Sequence, residues 1–74
     1  MAYEYPTSAG MLRLLRIGRR WAIEFNGSLR ARWLSPDDAV AAAAHHRTGL
    51  PDWDHTRLVV SDDVLRWRPL GESL

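Results

Sequence analysis

His45, His46 and His55, with Asp52 and Asp54 nearby, contain the ligand types of a zinc or nickel site. Their spacing argues against one: adjacent histidines on a helix point about 100° apart, and no i, i+4 histidine pair exists. They read instead as helix-end histidines that favour the negative end of the helix dipole. Asp37-Asp38 and Asp62-Asp63 are consecutive carboxylates that diverge in direction, and each pair follows a serine at a helix start. Capping by Ser35 and Ser61 explains them better than acid–base chemistry does. The chain has no cysteine, no Gly-x-Ser-x-Gly elbow and no glycine-rich phosphate loop. The expectation is a non-enzymatic chain with no catalytic residue, no metal and no cofactor.

Arginine is the residue type that remains. All ten basic residues are arginine, a bias that a GC-rich genome explains and that also suits phosphate and base edges. They are unevenly placed. From Met11 to Leu34 six arginines stand against Glu24 alone, whereas from Ser35 to Asp63 six aspartates stand against two arginines. Such asymmetry bears on association and steering, not on fold.

The elements that would position these arginines follow from periodicity. Residues 1–10 mix turn formers with two tyrosines and read as a flexible arm. A β run from Met11 to Ile17 ends at the Gly18-Arg19 turn. Its successor alternates Trp21, Ile23 and Phe25 with Arg20, Ala22 and Glu24, the period of a half-buried antiparallel strand. Asn26-Gly27 then signals a hairpin. A two-residue loop there would set Ile23 opposite Arg30 and mix apolar with basic residues on one face. A three-residue loop, Asn26-Gly27-Ser28, pairs Phe25 with Leu29, Ile23 with Ala31 and Trp21 with Trp33, and is the expected form. Arg20, Arg30 and Arg32 then share the face turned away from the core.

Ser35-Pro36-Asp37-Asp38 starts a helix expected over Pro36 to Arg47, with a cap, a proline at the first helical position and two carboxylates at the positive dipole end. Thr48-Gly49 and Pro51 should stop it. Pro51 to Asp54 reads as a turn carrying an aromatic plug. Arg57 to Val60 reads as a short edge strand, and Ser61-Asp62-Asp63 as the cap of a short C-terminal helix that Pro69 ends. With only 74 residues, burial must come largely from Trp21, Trp33, Trp53 and Trp67, each worth roughly 150–250 Å².

Trp21-Ala-Ile-Glu24, Arg32-Trp-Leu34 and the helix opening Ser35-Pro-Asp-Asp-Ala-Val-Ala41 resemble the plant AP2-type and phage-integrase arm-type DNA-binding domains over about half the chain. In those families a three-stranded antiparallel sheet reads the major groove and one helix packs behind. The resemblance implies phosphate or base contacts by Arg20, Arg30 and Arg32, with Arg16 flanking. Two features depart from it: the glycine-rich entry is missing, and the net charge is only +1.

The expected fold is α+β: a three-stranded antiparallel sheet packed on one α-helix, with a short C-terminal helix, forming a single domain over residues 11–70 and a tail at 71–74. The expected function is a small bacterial or phage-type binding module whose Arg16, Arg20, Arg30 and Arg32 engage DNA or an acidic protein. The alternative is a protein-interaction or assembly domain, homodimeric through a sheet edge, using Arg66, Trp67 and Arg68. No apolar run reaches the roughly 18–20 residues needed to cross a bilayer. The first residues lack a secretory pattern, so the expectation is a cytoplasmic protein with no membrane partner.

Overall fold

The computed structural model describes residues 2–70. Those residues form one small α+β domain around a five-stranded antiparallel sheet, ordered β4-β3-β2-β1-β5. The strands are β1 (Ala2–Thr7), β2 (Gly10–Ile17), β3 (Arg20–Phe25), β4 (Ser28–Trp33) and β5 (Arg68–Pro69), with helices α1 (Pro36–Ala44) and α2 (Pro51–Asp54) between β4 and β5. A three-stranded sheet is therefore incorrect. The segment read as a loose arm is β1, paired with β2 along its whole length. The expected C-terminal helix is a single 3-10 turn at Val64–Arg66, after which the chain pairs with β1 as β5. The tail at 71–74 lies outside the described residues.

The first two strands show why β1 forms. Tyr3 and Tyr5 alternate with Ala2, Glu4 and Pro6, and they stand opposite Leu14 and Leu12 on one face. Tyr3 lies 6.4 Å from Trp21 and Tyr5 5.3 Å from Trp67, ring centroid to ring centroid. Two amphipathic rings thus bury their bodies against the core. The adjacent Leu14 and Leu15, which blur the period of β2, face opposite ways: Leu14 is buried in the core, whereas Leu15 sits on the outer face beside Ala2 and Ala22.

The β3–β4 hairpin closes through the two-residue loop, not the three-residue one. Asn26 and Gly27 have φ of +51° and +87°, the two left-handed residues of a type I′ turn, and Phe25 pairs with Ser28. Ile23 consequently stands opposite Arg30, Glu24 opposite Leu29 and Ala22 opposite Ala31. A bulge then inserts Arg32 and brings Trp33 opposite Trp21. Turn chemistry sets the register at one end of the hairpin, and the bulge returns Trp33 to the core side at the other. An apolar match along the whole strand is unnecessary because β4 is an edge strand, and most of it is exposed. A Cβ at Gly27 would meet nothing within 4 Å, so a substitution there feels only its positive φ. Gly27→Val should lower stability by about 1–2 kcal/mol, measured by urea denaturation. An unchanged midpoint would contradict the turn assignment.

Helix α1 begins as its residues dictate: the Ser35 hydroxyl accepts the Asp38 amide at 3.1 Å, and Asp37 and Asp38 occupy the first turn. It ends three residues before the expected Arg47. His46 takes the left-handed conformation, with φ +57°, its amide donates to the Ala43 carbonyl and the Arg47 amide donates to that of Ala42. This is a Schellman ending with histidine where glycine is usual. The left-handed conformation costs a non-glycine residue about 1–2 kcal/mol. Two contacts of the His46 ring offset it: the ring stacks on Trp53 at 4.9 Å, and Nε2 lies 2.8 Å from the Leu58 carbonyl oxygen. Since a carbonyl only accepts, Nε2 carries the proton.

The core lies between α1 and the sheet face of Leu12, Leu14, Trp21, Ile23 and Phe25, where Ala39, Val40 and Ala43 let the helix approach closely. Trp53 on α2 is fully buried and donates its indole N–H to the Ala43 carbonyl at 2.9 Å, while its ring meets the edge of Phe25. Residues 57–60, expected as an edge strand, are not in the sheet; they supply Val60 to the core and the Leu58 carbonyl to His46. Among the described residues no helix is long and apolar enough to cross a membrane.

Candidate basic edge

The β3–β4 register divides the arginines expected to share one face. Arg20 points outward opposite Ile17. Arg16 stands opposite Trp21 at the other face, with its Nε donating to the Gly18 carbonyl at 3.2 Å. Arg30, opposite Ile23, lies on the helix side of the sheet. The expectation that Arg20, Arg30 and Arg32 form one outward basic surface is therefore incorrect, because the two-residue turn inverts the facing of β4.

Arg30 and Arg32 instead converge on Gly49, in the loop between α1 and α2. The Arg30 Nε donates to the Gly49 carbonyl at 3.3 Å. A Cβ built on Gly49 would lie 3.5 Å from Arg32 Nη1 and 3.6 Å from Arg30 Nε, which places both guanidinium groups against that residue. Among the described residues neither has a carboxylate within 4.0 Å; the ion pairs found are Arg13 with Glu24 and Arg68 with Glu4. Both arginines are exposed.

The loop beneath them is rigid for a local reason. The Asp54 carboxylate accepts the Thr48 amide at 3.0 Å, the Thr48 hydroxyl at 2.8 Å and the Gly49 amide at 2.9 Å. The buried Thr48 hydroxyl in turn accepts the Leu50 amide at 3.0 Å. Asp54 spends its charge on this cage and so lies near the arginines without pairing with them. Gly49 itself has φ +84°, which glycine adopts freely.

From Arg32 the basic edge continues across Trp33, whose ring centroid is 6.0 Å from the Arg32 guanidinium carbon. Trp33 is half-buried and forms one wall of an open groove of about 450 Å³, completed by Ala41, Ala42, His45 and Arg47. Arg47 thus joins the edge as a third cation that sequence periodicity assigned only to a helix end. Its one advance signal was position, just past the last alanine of α1 and beside a histidine.

The second set of candidate residues is divided by burial. Trp67 is 1% exposed and donates its indole N–H to the Ser61 carbonyl at 2.9 Å, so it is a core residue and unable to anchor a partner. Arg68 pairs with Glu4, and Arg66 and Arg68 flank a shallow groove beside Tyr5 and Pro6. Asp63, not Ser61, caps the 3-10 turn by accepting the Leu65 amide at 3.0 Å. Among the described residues no three histidine, aspartate or glutamate side chains are gathered in a metal-binding group. No protein-family model matches the chain, and neither the curated proteins nor the solved structures contain a significant match to it.

Proposed function

We propose that this chain is a small non-enzymatic binding module whose basic edge, formed by Arg30, Arg32 and Arg47 around Trp33, engages the phosphate backbone of a nucleic acid, with DNA the first ligand to test. One observation carries the reading: two guanidinium groups converge on the Gly49 peptide, Arg30 hydrogen-bonded to it, and among the described residues neither has a carboxylate partner. Like charges held together are costly unless an anion neutralises them. Arginine forks suit phosphate oxygens, and a half-buried tryptophan beside them offers a face for a base. The contact differs from the sheet-in-groove mode of the domains the sequence resembles, which needs Arg20, Arg30 and Arg32 on one face. A strand of nucleic acid would instead lie along β4 and the end of α1.

Fluorescence anisotropy with labelled single-stranded and duplex oligonucleotides tests it. Binding should be measurable at about 50 mM salt, and with up to three phosphates neutralised the slope of log K against log salt should be roughly −2 to −3. Arg30→Ala with Arg32→Ala should reduce affinity at least tenfold, by about 1.4 kcal/mol or more. Arg20→Ala, on the opposite face, should change it little. Absence of binding to either oligonucleotide at about 50 mM salt would refute the proposal.

A further inference from the structure

The outer face of the sheet carries a pattern that the basic edge does not explain. One cross-strand row reads Arg68, Glu4, Arg13, Glu24 over β5, β1, β2 and β3, as successive register pairs. The signs alternate without a break, and both flanking pairs are joined, Arg68 to Glu4 and Arg13 to Glu24 at 3.6 Å. The next row along the strands, Ala2, Leu15, Ala22 and Ala31, has no charge at all. Ile17 and Leu29, on the same face, are 47% and 43% exposed. An antiparallel sheet with a solvated face normally alternates polar residues outward, and this face does so in only part of its rows.

We infer that this face is the contact between two copies of the chain. An alternating row of four charges is its own complement under a twofold axis that runs along the strands between β1 and β2. That rotation exchanges β1 with β2 and β5 with β3, so Glu4 of each copy faces Arg13 of the other, and Arg68 faces Glu24. The same rotation keeps positions along the strands unchanged, so the uncharged row meets the uncharged row, with Ala2 over Leu15. The four charges and the Ala2–Leu15 pair then have suitable partners in an isologous interface, while β4, with Leu29 and Ala31, projects past the partner's β5. Side chains of Arg13 and Arg68 are 49% and 61% exposed despite their intrachain pairs, which leaves guanidinium donors for a second carboxylate. Apolar contact supplies the attraction, and the charge row sets the register and orientation. The small side chain of Ala2 beside Leu15 lets the two sheets approach at the axis. This inference involves a different face from Arg30, Arg32 and Arg47, so it stands or falls independently of nucleic-acid binding.

Sedimentation equilibrium on the whole chain tests it, with circular dichroism to verify folding. The wild-type mass should rise from 8.5 kDa toward twice that value as concentration approaches about 1 mM. A basic-row variant, Glu4→Arg with Glu24→Arg, and an acidic-row variant, Arg13→Glu with Arg68→Glu, should each be monomeric. Mixing the two in equal amounts should restore the dimer, because opposite rows now face each other. Leu15→Arg, a single change in the uncharged row that keeps all four charges, should also give a monomer and serves if the charge variants do not fold. A wild type that remains monomeric to about 1 mM, folded row variants that fail to associate on mixing, or a folded Leu15→Arg that dimerises like the wild type would each overturn the inference.

Discussion

Trp53→Ala should remove about 3–5 kcal/mol of stability, the largest loss expected from any single substitution in this chain. Domains hold only about 0.05–0.15 kcal/mol per residue, or about 4–11 kcal/mol for a chain of this length, so the variant should lose a large share of its stability. Three interactions end together. The indole fills the space between α2 and the sheet, its N–H satisfies the Ala43 carbonyl at the end of α1, and its face supports the His46 ring. Without that support the left-handed His46 loses one of its two offsetting contacts, and the Schellman ending weakens with it. Trp53→Phe should retain the ring contacts and forfeit the hydrogen bond, at a cost of about 0.5–1.5 kcal/mol plus some loss of packing. Urea denaturation followed by circular dichroism measures both. A Trp53→Ala protein as stable as the wild type would show that α2 is not part of the cooperative core.

Asp54→Ala should be the second most damaging change, at about 1.5–3 kcal/mol, and its effect should extend to binding. The carboxylate holds three donors of the α1–α2 loop, one of them on Gly49 and two on the buried Thr48. Its removal leaves the amide of the buried Thr48 without its acceptor. The Gly49 peptide would then cease to be a fixed acceptor for Arg30, and the guanidinium pair would lose its anchor. We therefore expect Asp54→Ala to weaken oligonucleotide binding even though the residue it removes is acidic, whereas simple charge arithmetic predicts the opposite. Anisotropy at fixed salt separates the two accounts. Tighter binding by a folded Asp54→Ala protein would mean that Arg30 and Arg32 act through net charge alone and not through their placement. Asp54→Asn should fall between, since its amide oxygen can still accept from Thr48 while its amino group faces the Gly49 amide.

The hairpin shows how far a local reading extends. Asn26-Gly27 announced a type I′ turn in its own residues, and the two-residue register was the one that turn favours. What opposed it was the assumption that every apolar residue of β4 must face the core. That assumption holds for central strands, whereas β4 lies at the edge, where Leu29 can stay exposed and Arg30 can reach a loop carbonyl. Nothing near Arg32 announces the bulge, because a bulge reconciles two registers and exists only once both strands and the core between them are in place. Similarly, residues 2–7 show no strand signal among their proline, threonine and neighbouring serine and glycine, and only pairing with β2 and β5 reveals them as a strand.

Residue chemistry alone determined the start of α1 at Ser35, the strand character of residues 20–25, the left-handed turn at Asn26-Gly27 and the burial of Trp21 and Trp53. Each depends on short-range sterics, capping or a dominant apolar surface, which neighbours along the chain suffice to specify. Tertiary structure decided the fifth strand, the end of α1 at His46, the fate of Trp67 and above all which arginines meet. Those outcomes turn on contacts between separate elements of the chain: Trp53 under His46, Tyr5 against Trp67, and Gly49 beneath Arg30. The placement of a charge follows the register of its strand, and register is a property of pairs of strands that a single segment does not contain.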